Sequence, residues 1–320
     1  MKDLDREYHG DGKPHYGEPD NPKHKTPREP YIASPELVEA VNLAMYLRRP
    51  LLLEGDPGCG KTRLAYALAH ELGRPLKTCY IRSTTRARDL LYDYDQLRRL
   101  YDIQETKTCG PRSAYLTLGE LGEAIRLSAK EGIPAVTLID EIDKADIDFP
   151  NDLLLTLDEW KFKAEEIRDE KTEGVYDALK GRSVEDFRDR LPIVVVTSNQ
   201  EKELPAPFLR RCVYFYIEFP DETTLRRILK EHLGEAAYKQ KKSLLETAAA
   251  RFMDLREKTE FRWRKKPSTS EFLDWVRALL RDEREDKRSV ENLGDLPLVG
   301  LPHLSVLVKT QSDRQALGHV

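Results

Sequence analysis

Apolar positions along the chain follow two alternating rhythms. Short unbroken apolar runs at 51–53, 78–81, 135–139, 193–197 and 213–217 are mostly separated by stretches in which apolar residues recur every three or four positions. Leu37, Val41, Ala44 and Met45 stand at i, i+4, i+7 and i+8, the spacing of one helical face. Ser34 before them suits an N-cap and Pro35 the first helical position. Further helices are expected at 64–69 and through Leu118, Leu121, Ile125 and Leu127. Runs without alternation predict strands buried on both faces, and strands separated by helices imply crossovers and a parallel sheet. Beyond Pro220 only helical spacing remains, at 225–233, 242–256 and 271–281. The expected fold class is therefore α/β: a parallel three-layer sheet domain followed by a smaller all-α domain.

Residues 1–28 hold four prolines, Gly10 and Gly12 around Asp11, and one aliphatic side chain, Leu4. Such a segment buries little surface to offset its ordering entropy, so a flexible tail is expected. Its histidines, His9, His15 and His24, are irregularly spaced and predict no metal site. The sheet domain is expected over 29–219 and the helical domain over 220–320. Two charged stretches, near 86–112 and 161–190, interrupt the sheet domain as surface insertions; the first carries Tyr92, Tyr94 and Tyr101.

Composition narrows the function classes. Fifty-three Lys and Arg against 57 Asp and Glu give a net charge of −4, not the footprint of a protein that binds nucleic acid through bulk charge. No apolar run approaches the ~18 residues of a membrane span, and the N-terminus lacks a signal-peptide apolar region. Cys59, Cys79, Cys109 and Cys212 are far apart with no C-x-x-C pair, so no zinc site or disulfide framework is indicated and a reducing cytoplasm is expected.

Gly55-Asp56-Pro57-Gly58-Cys59-Gly60-Lys61-Thr62 fits G-x-x-x-x-G-K-[ST] between an expected strand and an expected helix. Glycines let backbone N–H groups curl around phosphate oxygens, and the following helix presents its positive end. Lys61 is placed to reach the β- and γ-phosphates of a bound nucleotide and Thr62 to ligate Mg²⁺. Asp140 and Glu141 end the apolar run at 136–139, at the strand end where parallel sheets bind ligands. Asp140 suits the Mg²⁺ shell and Glu141 suits polarising the attacking water. Asn199 ends another buried run and can hydrogen-bond the γ-phosphate or that water. Asp143 and Lys144 are read only as helix-start charges.

Together these strand ends resemble an AAA+ ATPase, closest to the MoxR family, over residues 30–317, with Asn199 at the sensor-1 position. The resemblance implies the P-loop AAA+ fold with an α-helical lid. It makes Arg211 in Leu204-Pro-Ala-Pro-Phe-Leu-Arg210-Arg211-Cys212 the arginine finger, with Arg210 the fallback, acting on ATP in a neighbouring subunit. It places Tyr31 and Ile32 beside the adenine, and likens the 86–112 insertion to the hairpin MoxR-type proteins carry in helix 2. The helix resembling the sensor-2 helix opens Lys265-Lys266-Pro267-Ser268-Thr269-Ser270-Glu271, with an S-x-x-E capping box but no arginine at the usual place; either Lys265, Lys266, Arg262 or Arg264 substitutes or the function is absent. The implied function is ATP hydrolysis by a homo-oligomeric ring, a hexamer by resemblance, that remodels a protein client, often beside a von Willebrand A-type partner. Two other classes stay open: a nucleic-acid-stimulated motor or loader, with Phe261 and Trp263 among the basic residues of 251–266 as its one candidate surface, and a nucleotide-dependent switch or scaffold with little turnover.

Overall fold

The computed structural model describes residues 6–17, 25–106, 110–167, 175–178, 190–257, 263–284 and 292–318. His24, Cys109, Phe261, Arg262 and most of the 161–190 insertion lie outside these residues. The chain divides into two compact units. The first comprises Met1–Glu29, Ala33–Gly55 and Lys61–Ile217; the second comprises Pro30–Ile32, Asp56–Gly60 and Glu218–Val320.

In the first unit, α1 (Pro35–Leu47) leads into β1 (Leu51–Gly55), α2 (Lys61–Glu71) and β2 (Leu76–Tyr80). Next come β3 (Tyr92–Tyr94), α3 (Gln96–Thr106), β4 (Leu116–Leu118), α4 (Glu120–Arg126) and β5 (Val136–Asp140). The unit ends with α5 (Phe149–Glu159), β6 (Lys161–Lys163), β7 (Val175–Asp177), β8 (Ile193–Thr197), α6 (Ala206–Leu209) and β9 (Val213–Ile217). Among the described residues, five of these strands form a parallel sheet in the order β2-β5-β8-β1-β9. The interior strands β1, β5 and β8 are almost wholly buried, as unalternating apolar runs require. On the edge strand β9 the outward Tyr214 and Tyr216 are exposed. Ser34 caps α1, accepting from the Leu37 N–H, with Pro35 behind it.

The first insertion is ordered over its described residues. β3 pairs antiparallel with β4, placing Tyr92 opposite Leu118. Tyr92 is buried and stacks 6.0 Å from Phe162, which stacks 4.7 Å from Tyr176 on β7. Tyr94 is half-buried, whereas Leu97, Leu100 and Tyr101 lie exposed on α3.

The described part of the expected tail is packed, not loose. Tyr8 is buried; its backbone N–H donates to Asn42 Oδ1 at 2.9 Å, and Asn42 Nδ2 returns 2.9 Å to the Tyr8 carbonyl. Glu71, wholly buried at the end of α2, accepts from the N–H groups of His9, Gly10 and Gly12. Apolar content does not measure this kind of anchoring: one carboxylate satisfies three backbone donors that would otherwise be costly to bury. Asp11 and His15 come within 4.8 Å of the Glu71 carboxylate, but both Glu71 oxygens are already acceptors, and Asp11 binds His15 at 2.8 Å.

The second unit continues with α7 (Glu222–Leu233), α8 (Glu235–Gln240), α9 (Lys242–Glu257), α10 (Thr269–Arg284), α11 (Leu304–Leu307) and α12 (Gln311–Gly318). Asp221 caps α7 through the Thr224 N–H at 2.8 Å. The expected capping box closes α10: the Ser268 N–H donates to Glu271 at 2.8 Å, and the Glu271 N–H to Ser268 Oγ at 3.4 Å. These helices enclose a core of Leu225, Leu229, Phe252, Phe272, Trp275 and Leu279. Fully burying a side chain such as Phe252 or Phe272 contributes roughly 2–3 kcal/mol.

Candidate functional site

The parallel register carries two strand ends to the same level. Ile139 lies opposite Val196, so the residues that follow, Asp140 and Thr197, stand side by side. Both are buried. Thr197 Oγ1 donates to Asp140 Oδ1 at 2.8 Å and accepts from the Glu141 N–H at 2.8 Å. Thr62, in the first turn of α2, donates to the same Asp140 oxygen at 2.9 Å. A hydroxyl and a carboxylate at this separation are hard oxygen donors of the kind magnesium takes, so the residues present fit that ion.

Glu141 follows the strand in left-handed backbone, φ 59°, a conformation that costs an L-residue about 1–2 kcal/mol. Its carboxylate is held from two sides: Asn199 Nδ2 donates to Oε1 at 3.1 Å, and Lys144 Nζ donates to Oε2. The bond to Glu141 pushes the Lys144 ammonium pKa up. Asp143 is buried and accepts from the N–H groups of Asn199 at 3.0 Å and Glu201 at 2.9 Å, fixing the turn that carries Asn199. Asn199, expected to face the γ-phosphate or the attacking water, thus stands within hydrogen-bond reach of the Glu141 carboxylate.

The glycine-rich turn is tightly enclosed. Lys61 is buried and donates from Nζ to the Gly55 carbonyl at 2.6 Å, while the Cys59 N–H donates to the Asp56 carbonyl at 3.2 Å. Gly58 and Gly60 have φ 79° and 102°. A Cβ on Gly58 would lie 2.2 Å from Ser268 Cβ, and one on Gly60 would lie 3.1 Å from the Tyr31 ring. Pro57 is exposed, and Tyr31 and Ile32 are half-buried. Asp56 accepts from Arg256 at 2.8 Å. Cys59 and Cys79 are buried free thiols; burial pushes Cys79 and Cys212 up to about 12, which keeps them protonated rather than nucleophilic.

Arg211 is exposed and bound within its own chain, with Nε on Asp158 at 2.9 Å and a second nitrogen on the Pro207 carbonyl at 3.2 Å. It lines a pocket with Arg48, Arg49, Asp158, Phe208 and Cys212 that includes no phosphate-loop residue. Arg210 is exposed, and its carbonyl accepts from Arg49 at 3.3 Å. Of the possible sensor-2 substitutes, Lys265 pairs with Glu271 at 3.4 Å and the Arg264 N–H donates to Asp313 at 2.8 Å; Arg262 lies outside the described residues.

Sequence reasoning missed Thr197, Asp143, Lys144 and Arg256. Strand register could have singled out Thr197, and the spacing of three from Glu141 could have singled out Lys144. Arg256 left no local signal, being 200 residues from its partner Asp56.

Residues 50–212 match the family model of the AAA domain, dynein-related subfamily. The chain belongs to this family. The match spans the phosphate-binding turn, Asp140, Glu141, Asn199 and Arg211, just over half of the 320 residues. AAA domains bind nucleotide and are generally ATPases. No curated protein matches the chain. Among the described residues of this AAA protein, no helix is long and apolar enough to cross a membrane.

Proposed function

We propose that this AAA protein is a MoxR-like ATP hydrolase that works as a ring of identical subunits and uses turnover to remodel or activate a protein partner. The observation that carries the reading is the hydrogen-bonded set Thr62–Asp140–Thr197 beside a Glu141 carboxylate held by Asn199 and Lys144. Lys61 leaves the Gly55 carbonyl to take the β- and γ-phosphates of ATP. Thr62 and Asp140 hold Mg²⁺, which when bound supplies neutralisation of phosphate charge. Glu141 orients and polarises the attacking water. Asn199 hydrogen-bonds the γ-phosphate or the attacking water, and its contact with Glu141 keeps it beside that carboxylate. Tyr31, against Gly60, and its neighbour Ile32 belong to the nucleotide-binding segment.

Arg211 serves as the cation that crosses to the neighbouring subunit's ATP, with Arg210 its fallback. Its ion pair with Asp158 is nearly half exposed on both sides, and such a pair is worth less than about 1 kcal/mol, so it yields readily to a phosphate. For the partner, Leu97, Leu100 and Tyr101 on α3 offer exposed apolar side chains at helical spacing. A von Willebrand A-type protein is the class the MoxR likeness suggests.

Paired substitutions test the core of the reading. Lys61→Ala should abolish ATP binding. Glu141→Gln should keep binding and slow turnover by about a hundredfold or more, the scale of a general base. Undiminished hydrolysis in Glu141→Gln removes Glu141 from the chemistry.

A further inference from the structure

We infer that Arg256 is a positioning residue for the phosphate loop, holding the Asp56 carboxylate and through it the turn Asp56–Gly60; the inference rests on the ATPase reading above. Arg256 sits in the last turn of α9, where an arginine ordinarily reaches into solvent. Instead it is 5% exposed and restrained on three sides. Its guanidinium lies 3.4 Å from the centre of the Phe219 ring, one nitrogen donates to the Pro267 carbonyl, and another donates to Asp56 Oδ2 at 2.8 Å. Burial pushes its pKa down, and the Asp56 charge opposes that.

The pair is lopsided. The Asp56 side chain is 47% exposed against 6% for Arg256, so the arginine is the fixed member and the aspartate the one being placed. Asp56 also opens the turn, accepting from the Cys59 N–H. The rest of that turn is pressed by neighbours from the same unit: Ser268, locked by its capping box, closes on Gly58, and Tyr31 closes on Gly60. A turn whose N–H groups must converge on phosphate gains from being ordered before the ligand arrives, because ordering then costs nothing at binding. The motif itself leaves position 56 open to any residue; the ion pair gives the aspartate there a task.

ATP hydrolysis, ATP binding and Tm are measured on the full chain for Asp56→Asn, Arg256→Gln, Arg256→Lys and the double variant Asp56→Asn with Arg256→Gln. Each of the two charge-removing substitutions should raise KM for ATP about tenfold, the scale of one charge-assisted hydrogen bond, with kcat within about twofold. Arg256→Lys should recover most of the loss, and the double variant should be no worse than either single one. Should Arg256→Gln fail to fold, the half-exposed Asp56→Asn and the conservative Arg256→Lys still decide the matter. An unchanged KM in Asp56→Asn, or losses that multiply in the double variant, overturns the inference while leaving the ATPase reading intact. A wild-type chain that neither binds nor hydrolyses ATP overturns both.

Discussion

A single carboxylate oxygen organises the candidate site. Asp140 Oδ1 accepts from Thr62 and Thr197, and Thr197 in turn receives the Glu141 N–H. The residue proposed for magnesium and the residue proposed for water are therefore tied through one hydroxyl. Thr197→Val keeps the shape and removes that hydroxyl, leaving the partly buried Glu141 N–H without this acceptor at a cost of about 1 kcal/mol. Turnover should fall about tenfold or more with KM for ATP within about twofold, and Thr197→Ser should restore it; an unchanged kcat in Thr197→Val refutes the linkage. Asp140 and Glu141 were legible because two acids closing an apolar run contradict the run's own pattern. Thr197 was not, because a β-branched residue in a strand contradicts nothing.

At the scale of elements, α2 works at both ends. Its first turn carries Lys61 and Thr62, and its last residue, Glu71, gathers the N–H groups of His9, Gly10 and Gly12. Helix and strand periodicity made the sheet, its crossovers and the later helices readable, because those elements are built by burying apolar side chains. The 6–17 segment is instead held by backbone donors on one buried carboxylate, by the paired bonds between Tyr8 and Asn42, and by Arg6 donating to the Leu72 carbonyl at 2.7 Å. Composition carries no trace of such bonds. Glu71→Gln keeps the volume but replaces one of the two acceptor oxygens by an N–H₂, setting it against at least the Gly12 N–H, so it should cost about 1–3 kcal/mol. The loss should appear as a lower Tm and faster hydrogen exchange at His9, Gly10 and Gly12. Unaltered exchange there would mean that other contacts hold the segment.

At the scale of the whole molecule, the proposed activity needs a charge supplied by a neighbouring subunit. Arg211 shares a pocket with Arg48 and Arg49, against Asp158 as the acid lining it. Such a surface attracts an anion, and the terminal phosphate of a neighbour's ATP is an anion of that kind. ATP then becomes a ligand of two subunits at once, and whatever binds the assembled state better than the free one shifts the equilibrium toward it. Glu141→Gln, which keeps ATP intact, should sediment as a larger species with ATP than without it. Arg211→Ala should still bind ATP, yet hydrolyse it by a factor of about 10³ or more slower, the loss expected for an arginine that meets the transition state. If Arg210→Ala shows that loss and Arg211→Ala does not, the finger is the neighbouring residue and the ring stands. A Glu141→Gln protein that remains monomeric with and without ATP at assay concentrations removes the ring, and with it the reason for either arginine to act across subunits.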